Sequence, residues 1–263
     1  MAMGSHIEWT QATWNPVTGC TRVSAGCDHC YAARMSYRLE RMGSTPYAGI
    51  TMRNGRGERH FNGIVKCHRD RLDLPRRWRR PRLVFVNSMS DLFHRDVPLG
   101  FIRDVFRVMN ECPQHTFQVL TKRPEIAARH APRLTWSDNI CLGTSVENAL
   151  VTHRIRDLEN VSARLRFLSL EPLLGSIPKL RISRIHWVIV GGESGPGARE
   201  MKAEWVRQIR DRCLAQGVPL FFKQWGGPNK KASGRLLDGR TWDEYPVAHS
   251  MTADHVGNRT ASG

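Results

Sequence analysis

Three cysteines stand close together near the start of the chain, in Thr18-Gly19-Cys20-Thr21-Arg22-Val23-Ser24-Ala25-Gly26-Cys27-Asp28-His29-Cys30-Tyr31. The spacing is C-x6-C-x2-C. A C-x2-C pair can wrap one metal centre with amides of the turn pointing at the sulfurs. The cysteine seven positions earlier closes a three-point clamp. A helix predicted to follow adds the positive end of its dipole, which favours thiolate over thiol. Two metal chemistries suit Cys20, Cys27 and Cys30. One is zinc, with His29 or a distant residue as fourth ligand. The other is a [4Fe–4S] cluster with one iron not held by cysteine and open to a substrate or cofactor. The plain alternative is three reduced thiols, a poor way to build a core beside glycines. Cys141 and Cys213 read as small core residues. Cys112 sits at a helix end, and Cys67 precedes His68 in a basic region.

The elements that must position this loop are legible as short apolar runs: Leu83–Asn87, Thr116–Leu120, Asn139–Gly143, Leu165–Leu170, Trp187–Val190 and Val218–Phe222. They are nearly continuous in apolar residues, as strands of a parallel sheet buried on both faces are. Apolar stripes at helical spacing lie between them: Phe101 to Met109; Leu150, Ile155 and Leu158; Met201 to Leu214, with Gly217 as a stop. An earlier helix is predicted over Tyr31–Met42, with Tyr31, Met35, Leu39 and Met42 inward and Gly43 ending it. This βα rhythm predicts an α/β fold. A partial or full β/α (TIM-like) barrel is favoured over a doubly wound sheet, because no GxGxxG follows the first strong strand. One domain is expected over residues 7–246, with the cysteine loop at 18–31, a Gly/Arg-rich excursion at 43–82 and a flexible tail at 247–263.

Ligands bind at the carboxyl ends of strands in such folds. Each run is followed there by a charged residue: Asp91 after Ser88, then Lys122, Glu147, Glu171, Glu193 after Gly191-Gly192, and Lys223. Six in register predict a polar pocket that would bind a cofactor. Each also has a structural reading, as a helix start or a partner for a neighbouring charge. The glycines of 191–197 let backbone approach a ligand, or form a tight turn.

The chain has 263 residues, with 40 Lys+Arg against 24 Asp+Glu, a net charge of +16. Residues 51–82 hold 11 Arg/Lys and three Asp/Glu, half of that excess. Within them Arg76, Arg77, Trp78, Arg79, Arg80 and Arg82 form a run suited to phosphate oxygens and base stacking. The same run could brace the approach to the next strand with Trp78 packed down. No helix-turn-helix, zinc finger or RNP motif accompanies it, so nucleic-acid binding would be led by the backbone and sensitive to salt. No apolar stretch approaches the ~18–20 residues of a membrane span. The first ten residues lack the pattern of a signal peptide, which predicts a cytoplasmic chain with reduced cysteines.

The segments IEWT-x-ATWNPVTGC, GC-x-x-CYA, FVNSMSDLFH-x-DVP, LTKRPE, SVEN, SLEPLLG, GGESGPGAR, FFKQWGG and LLDGRTWDEYP together resemble a family of largely uncharacterised phage and bacterial proteins. Its three-cysteine motif is similar to that of radical S-adenosylmethionine (SAM) enzymes. The resemblance runs from about Ile7 to Pro246. It implies a β/α barrel in which Cys20, Cys27 and Cys30 hold a [4Fe–4S] cluster and SAM chelates the open iron. One-electron reduction would then cleave SAM to methionine and a 5′-deoxyadenosyl radical, with the barrel orienting the cofactor and excluding water. The usual spacing is C-x3-C-x2-C, and here the first gap is six residues.

Three readings follow. The first is a radical-SAM-like enzyme that repairs or modifies DNA or RNA and needs an electron donor. The second is a nucleic-acid-binding protein with a structural or redox-sensing cluster or zinc. The third is a zinc hydrolase or transferase using Glu147, Glu171 or Glu193 as base. Residues 43–82 are expected to form a lid over the barrel mouth.

Overall fold

The structure is a computed structural model and describes residues 7–55 and 57–246. β1 (Ala12–Trp14) and β2 (Val17–Thr18) precede the cysteine loop, and α1 (Tyr31–Arg41) follows it. The excursion carries β3 (Thr51–Arg53), β4 (Arg59–Phe61) and β5 (Lys66–Cys67). A βα series comes next: β6 (Leu83–Val86), α2 (Leu99–Glu111), β7 (Thr116–Thr121), α3 (Pro124–His130), β8 (Ile140–Ser145), α4 (His153–Glu159) and β9 (Leu165–Leu170). β10 (Trp187–Gly191), α5 (Ala203–Gln216), β11 (Leu220–Gln224) and the short α6 (Lys230–Ser233) complete it.

Seven strands form one sheet in the order β1-β6-β7-β8-β9-β10-β11, with every neighbouring pair parallel. β1 and β11 are its edges among the described residues, so the fold is a partial β/α barrel. All six apolar runs lie in this sheet. β1 was not among them, because three residues are too few to show a pattern.

Alternate side chains point to opposite faces of a strand. Val84, Val86, Leu168, Leu170, Val188, Val190, Leu220 and Phe222 pack outward under α2, α4 and α5. Phe85, Phe167, Ile189 and Phe221 point inward with Trp9 and Trp187. Trp9 stacks at 4.7 Å from Phe85, and the Tyr245 ring lies 5.2 Å from Trp187. The first and last described segments thus fill the amino-terminal half of the inner face. No helix joins β9 to β10; Leu173, Ile177, Leu180, Ile182 and Ile185 of that connection cover the outer face instead.

Two expectations about elements are corrected. The helix over 31–42 forms, but Met35 (41 % exposed) and Met42 (71 %) face outward, and Tyr31, 50 % exposed, lines the cavity mouth with its hydroxyl on the Ser88 carbonyl. Ala32, Ala33 and Ser36 are the residues it buries, and only Leu39 of the expected stripe packs inward. Leu150 and Leu214 also lie exposed, outside the stripes expected of them.

The lid expectation fails for the second half of the excursion. β3 and β4 pair antiparallel and pack on α1, and β5 pairs with β2. The chain then turns to the other end of the sheet. The Thr116 amide donates to the Arg82 carbonyl at 2.9 Å, where β6 and β7 begin. Arg76 pairs with Glu111 at the end of α2 and with Asp73. The half-buried Trp78 ring meets His115 edge-on at 5.6 Å, with Arg82 over its face. Arg76 to Arg82 therefore brace the lead into β6, opposite the end where Cys20, Cys27 and Cys30 lie. Arg77, Arg79 and Arg80 are exposed there. The tail expected at 247–263 lies outside the described residues. Among those residues no helix is long and apolar enough to cross a membrane.

Candidate metal centre and cavity

A cavity of about 410 Å³ opens at the carboxyl ends of the strands. Cys20, Cys27 and Cys30 all line it, and none is in a disulfide. Cys20 follows Gly19, whose φ of +86° and contact with the Ile64 carbonyl leave no room for a side chain. Cys27 closes a tight turn by donating its amide to the Ser24 carbonyl at 2.9 Å. Cys30 is the residue before α1 and accepts the Arg34 amide there.

Buried ion pairs hold this loop. Asp91 accepts from Thr121 Oγ1 at 2.7 Å, the Lys122 amide at 3.0 Å and Arg123 Nη1 at 2.9 Å. Arg123 in turn reaches Cys20 Sγ at 3.6 Å, and its Nη2 donates to the carbonyl and hydroxyl of Thr21. Glu147 pairs with Lys122 and Arg154 and accepts Ser24 Oγ at 2.7 Å, beneath Gly26. A Cβ on Gly26 would overlap the Glu147 carboxylate. Glu193 accepts from the amide and guanidinium of Arg199, and lies 2.9 Å from His29 Nδ1. Arg199 also donates to the Ala25 carbonyl. Arg34 on α1 donates to the carbonyls of Ser194 and His29.

Electrostatics follows from these contacts. Burial pushes the Cys20 thiol up to about 12; Asp91 adds to this and Arg123 opposes it. Burial also raises Cys30, against the amides of Ala33 and Ala32. Burial thus favours the thiol form of Cys20 and Cys30, and a metal that binds them must displace protons. Burial alone would raise Glu193, but hydrogen bonds from Arg199 and His29 outweigh it and hold the carboxyl at about 2. Burial opposes the charge on Glu147 as well, and Lys122 and Arg154 lower it below the usual carboxylate range.

The residues expected at the mouth thus divide into two sets. Ser88, Asp91, Lys122, Glu171, Gly192, Glu193 and Lys223 line the cavity. Gly191 ends β10 and Glu147 lies beneath the loop; neither lines it. Asp91, Glu147 and Glu193 are engaged as braces. Gly192 is needed because a side chain would overlap the Trp225 carbonyl of the β11 turn. Of the expected charges on the wall, Lys122 is paired with Glu147 beneath it, and Lys223 pairs with Glu171 at 2.6 Å, with Glu8 3.8 Å from the same ammonium. Trp9, Phe85 and Leu120 form the apolar wall, and His60 and Phe61 of β4 form part of the rim. Arg34, Arg123, Arg154 and Arg199 were missed. Arg123 had a signal in its place beside Lys122 at a strand end, and Arg199 in closing the GGESGPGAR segment.

The donor set suits a cluster. Among the described residues no three His, Cys, Asp or Glu side chains converge closely enough to hold a single metal ion. Zinc needs all four ligands within about 2.0–2.3 Å of one centre. A cubane cluster binds cysteines on separate irons and so does not ask the thiols of Cys20, Cys27 and Cys30, which line one cavity, to converge on a single point.

The chain is similar to solved structures of spore photoproduct lyase. One is a variant with bound AdoMet and dinucleoside spore photoproduct (TM-score 0.45, 11 % identity, covering 81 % of this chain and 63 % of that chain). Another is a complex with the dinucleoside spore photoproduct (TM-score 0.43, 11 % identity, with the same 81 % and 63 %). The chain spans less than two thirds of the length of these structures. No curated protein matches it in sequence. A family model described as a protein of unknown function, DUF5131, matches residues 4–246, and the chain belongs to that family.

Proposed function

We propose that this chain is an iron–sulfur enzyme of the radical SAM kind acting on nucleic acid, DNA or RNA, in the cytoplasm. The observation that carries the reading is the placement of three free cysteines on one cavity at the carboxyl ends of parallel strands. Cys20, Cys27 and Cys30 would hold a [4Fe–4S] cluster. When bound, the cluster and SAM supply one-electron reductive cleavage and hydrogen abstraction. The chain's own part is to bind, orient and dry the site. Lys122, Lys223 and Glu171 offer both signs of charge to a zwitterionic cofactor. Trp9, Phe85 and Leu120 exclude water from the inner wall. Arg123, Glu147 and Glu193 fix the cysteine loop through Thr21, Ser24 and His29. The substrate class rests on the net charge of +16. An electron donor is required as partner.

The test is anaerobic reconstitution with quantification of iron, sulfide and zinc, then EPR of the dithionite-reduced protein with and without SAM. The expected result is about four irons per chain, a [4Fe–4S]⁺ signal that changes on adding SAM, and loss of colour in Cys20→Ala, Cys27→Ala or Cys30→Ala. A cluster indifferent to SAM would move the reading to a structural or redox-sensing site. Zinc without iron would remove it.

A further inference from the structure

We infer that the exposed face of α1, together with the β3–β4 hairpin packed on it, is the surface along which a single strand of nucleic acid reaches the cavity. The inference rests on the nucleic-acid reading above and names the site and the form of that partner.

The first observation is the outward stripe of α1. Tyr31, Met35, Arg38 and Met42 follow one another at helical spacing, all exposed. Large apolar side chains on a soluble surface, set in a row, mark a contact surface. The stripe begins at the cavity, since Tyr31 lines it and donates its hydroxyl to the Ser88 carbonyl at 2.6 Å. β4 supplies the neighbouring rim through His60 and Phe61, and Met52 on β3 is 53 % exposed.

The second observation is the charge around that stripe. Arg38, Arg41 and Arg53 are exposed and have no carboxylate partner among the described residues. The two carboxylates of these elements are bonded to groups of the same surface and not to these arginines. Glu40 accepts the Gly49 amide at 2.7 Å. Glu58 accepts from Asn54 and faces His29 and His60. Arg59 lies flat on the Tyr37 ring at 3.5 Å, which stiffens the joint between hairpin and helix. Unpaired arginines beside a tyrosine and flexible methionines are the makings of a phosphate-tracking groove with a stacking platform. A base that enters the cavity leaves its neighbours on this rim. A single strand can splay its bases there, whereas paired bases in a duplex are not free to stack on side chains.

The test uses the full chain and fluorescence anisotropy with labelled oligonucleotides, single-stranded and duplex, across a salt series. Arg38→Glu/Arg41→Glu is compared with Arg79→Glu/Arg80→Glu at the opposite end of the sheet. The expected result is preference for the single strand, at least about tenfold weaker binding in the α1 variant, and a salt dependence shallower by about 1.4 for two lost phosphate contacts. The Arg79/Arg80 variant should bind like the parent. Met35→Ala is expected to weaken binding without altering the salt slope. Thermal melting and iron content of each variant report whether fold and loop survive. Unchanged binding in a folded α1 variant overturns this inference while the nucleic-acid reading stands. A parent chain that binds no oligonucleotide overturns the nucleic-acid reading itself. If the α1 variant keeps its oligonucleotide affinity but loses reduction by an acidic electron-donor protein, the face belongs to that partner and the inference is wrong.

Discussion

Gly26 carries a hydrogen where any other residue would carry a carbon inside the Glu147 carboxylate. Gly26→Ala is therefore expected to push the cysteine loop off its brace. The cost should be about 1–3 kcal/mol of stability, as for other overpacked sites, with reduced iron loading by metal analysis at unchanged cysteine count. Glu193 gives a pH signature. Its carboxyl, ordinarily at 4.5, is held at about 2 by Arg199 and His29. A depressed carboxyl stabilises the folded chain above its unfolded value, and that contribution fades as pH falls through the folded one. Glu193→Gln should therefore lower Tm near neutral pH, with the gap to the parent closing between about pH 4.5 and pH 2. A gap of constant size across that range would show that charge is not what Glu193 supplies. At this scale the sequence showed which residues end the strands and not which way they turn. Asp91 and Glu193 line the cavity and Glu147 lies beneath the loop; Arg154 comes from a helix that no motif marks, and Arg199 closes the GGESGPGAR segment with nothing in it to show which carboxylate it meets. Asp91, Glu147 and Glu193 bond the cysteine loop or the arginines that hold it, whereas Glu171 bonds Lys223 on the cavity wall.

Among the elements, what could be read depended on how apolar each one is. The six buried strands are nearly continuous in apolar residues and were visible for that reason. β1 is only three residues long, and α3 begins on the strand-end motif Lys122-Arg123-Pro124, so neither stood out. α1 misled because amphipathic reasoning sends large side chains inward. Its small face, Ala32, Ala33 and Ser36, is what lets the helix sit close to the sheet end and bring Cys30 to the cavity. The inner aromatic cluster has a direct test. Trp187 is fully buried, touches Trp9, Phe167, Phe221 and Tyr245, and donates its indole N–H to the Glu244 carbonyl. Trp187→Ala is expected to cost about 3–5 kcal/mol in denaturant unfolding. A loss below about 1 kcal/mol would mean that the cluster does not hold the sheet's inner face.

For the whole molecule, the two ends of the sheet have separate tasks. The amino end is closed by aromatic rings from both described extremities of the chain and carries the exposed arginines of the 76–82 run. The carboxyl end carries the cysteines, the cavity and the α1 face. Net charge alone could not distinguish these ends, because it has no direction; the turn of the chain after β5 does.

The clamp on the cysteine loop has a consequence for how the protein is made. Residues 18–31 leave the ribosome early, but the side chains that hold them come from far downstream: Asp91 and Arg123, then Glu147, then Glu193 and Arg199. A nascent chain that has not yet delivered β10 and the turn after it has no anchor for Ala25 or His29. The thiols of a half-made chain are unbraced and open to oxidation. On the proposed reading, loading of the cluster waits for β10 and the turn after it, although the motif that supplies the ligands is made early.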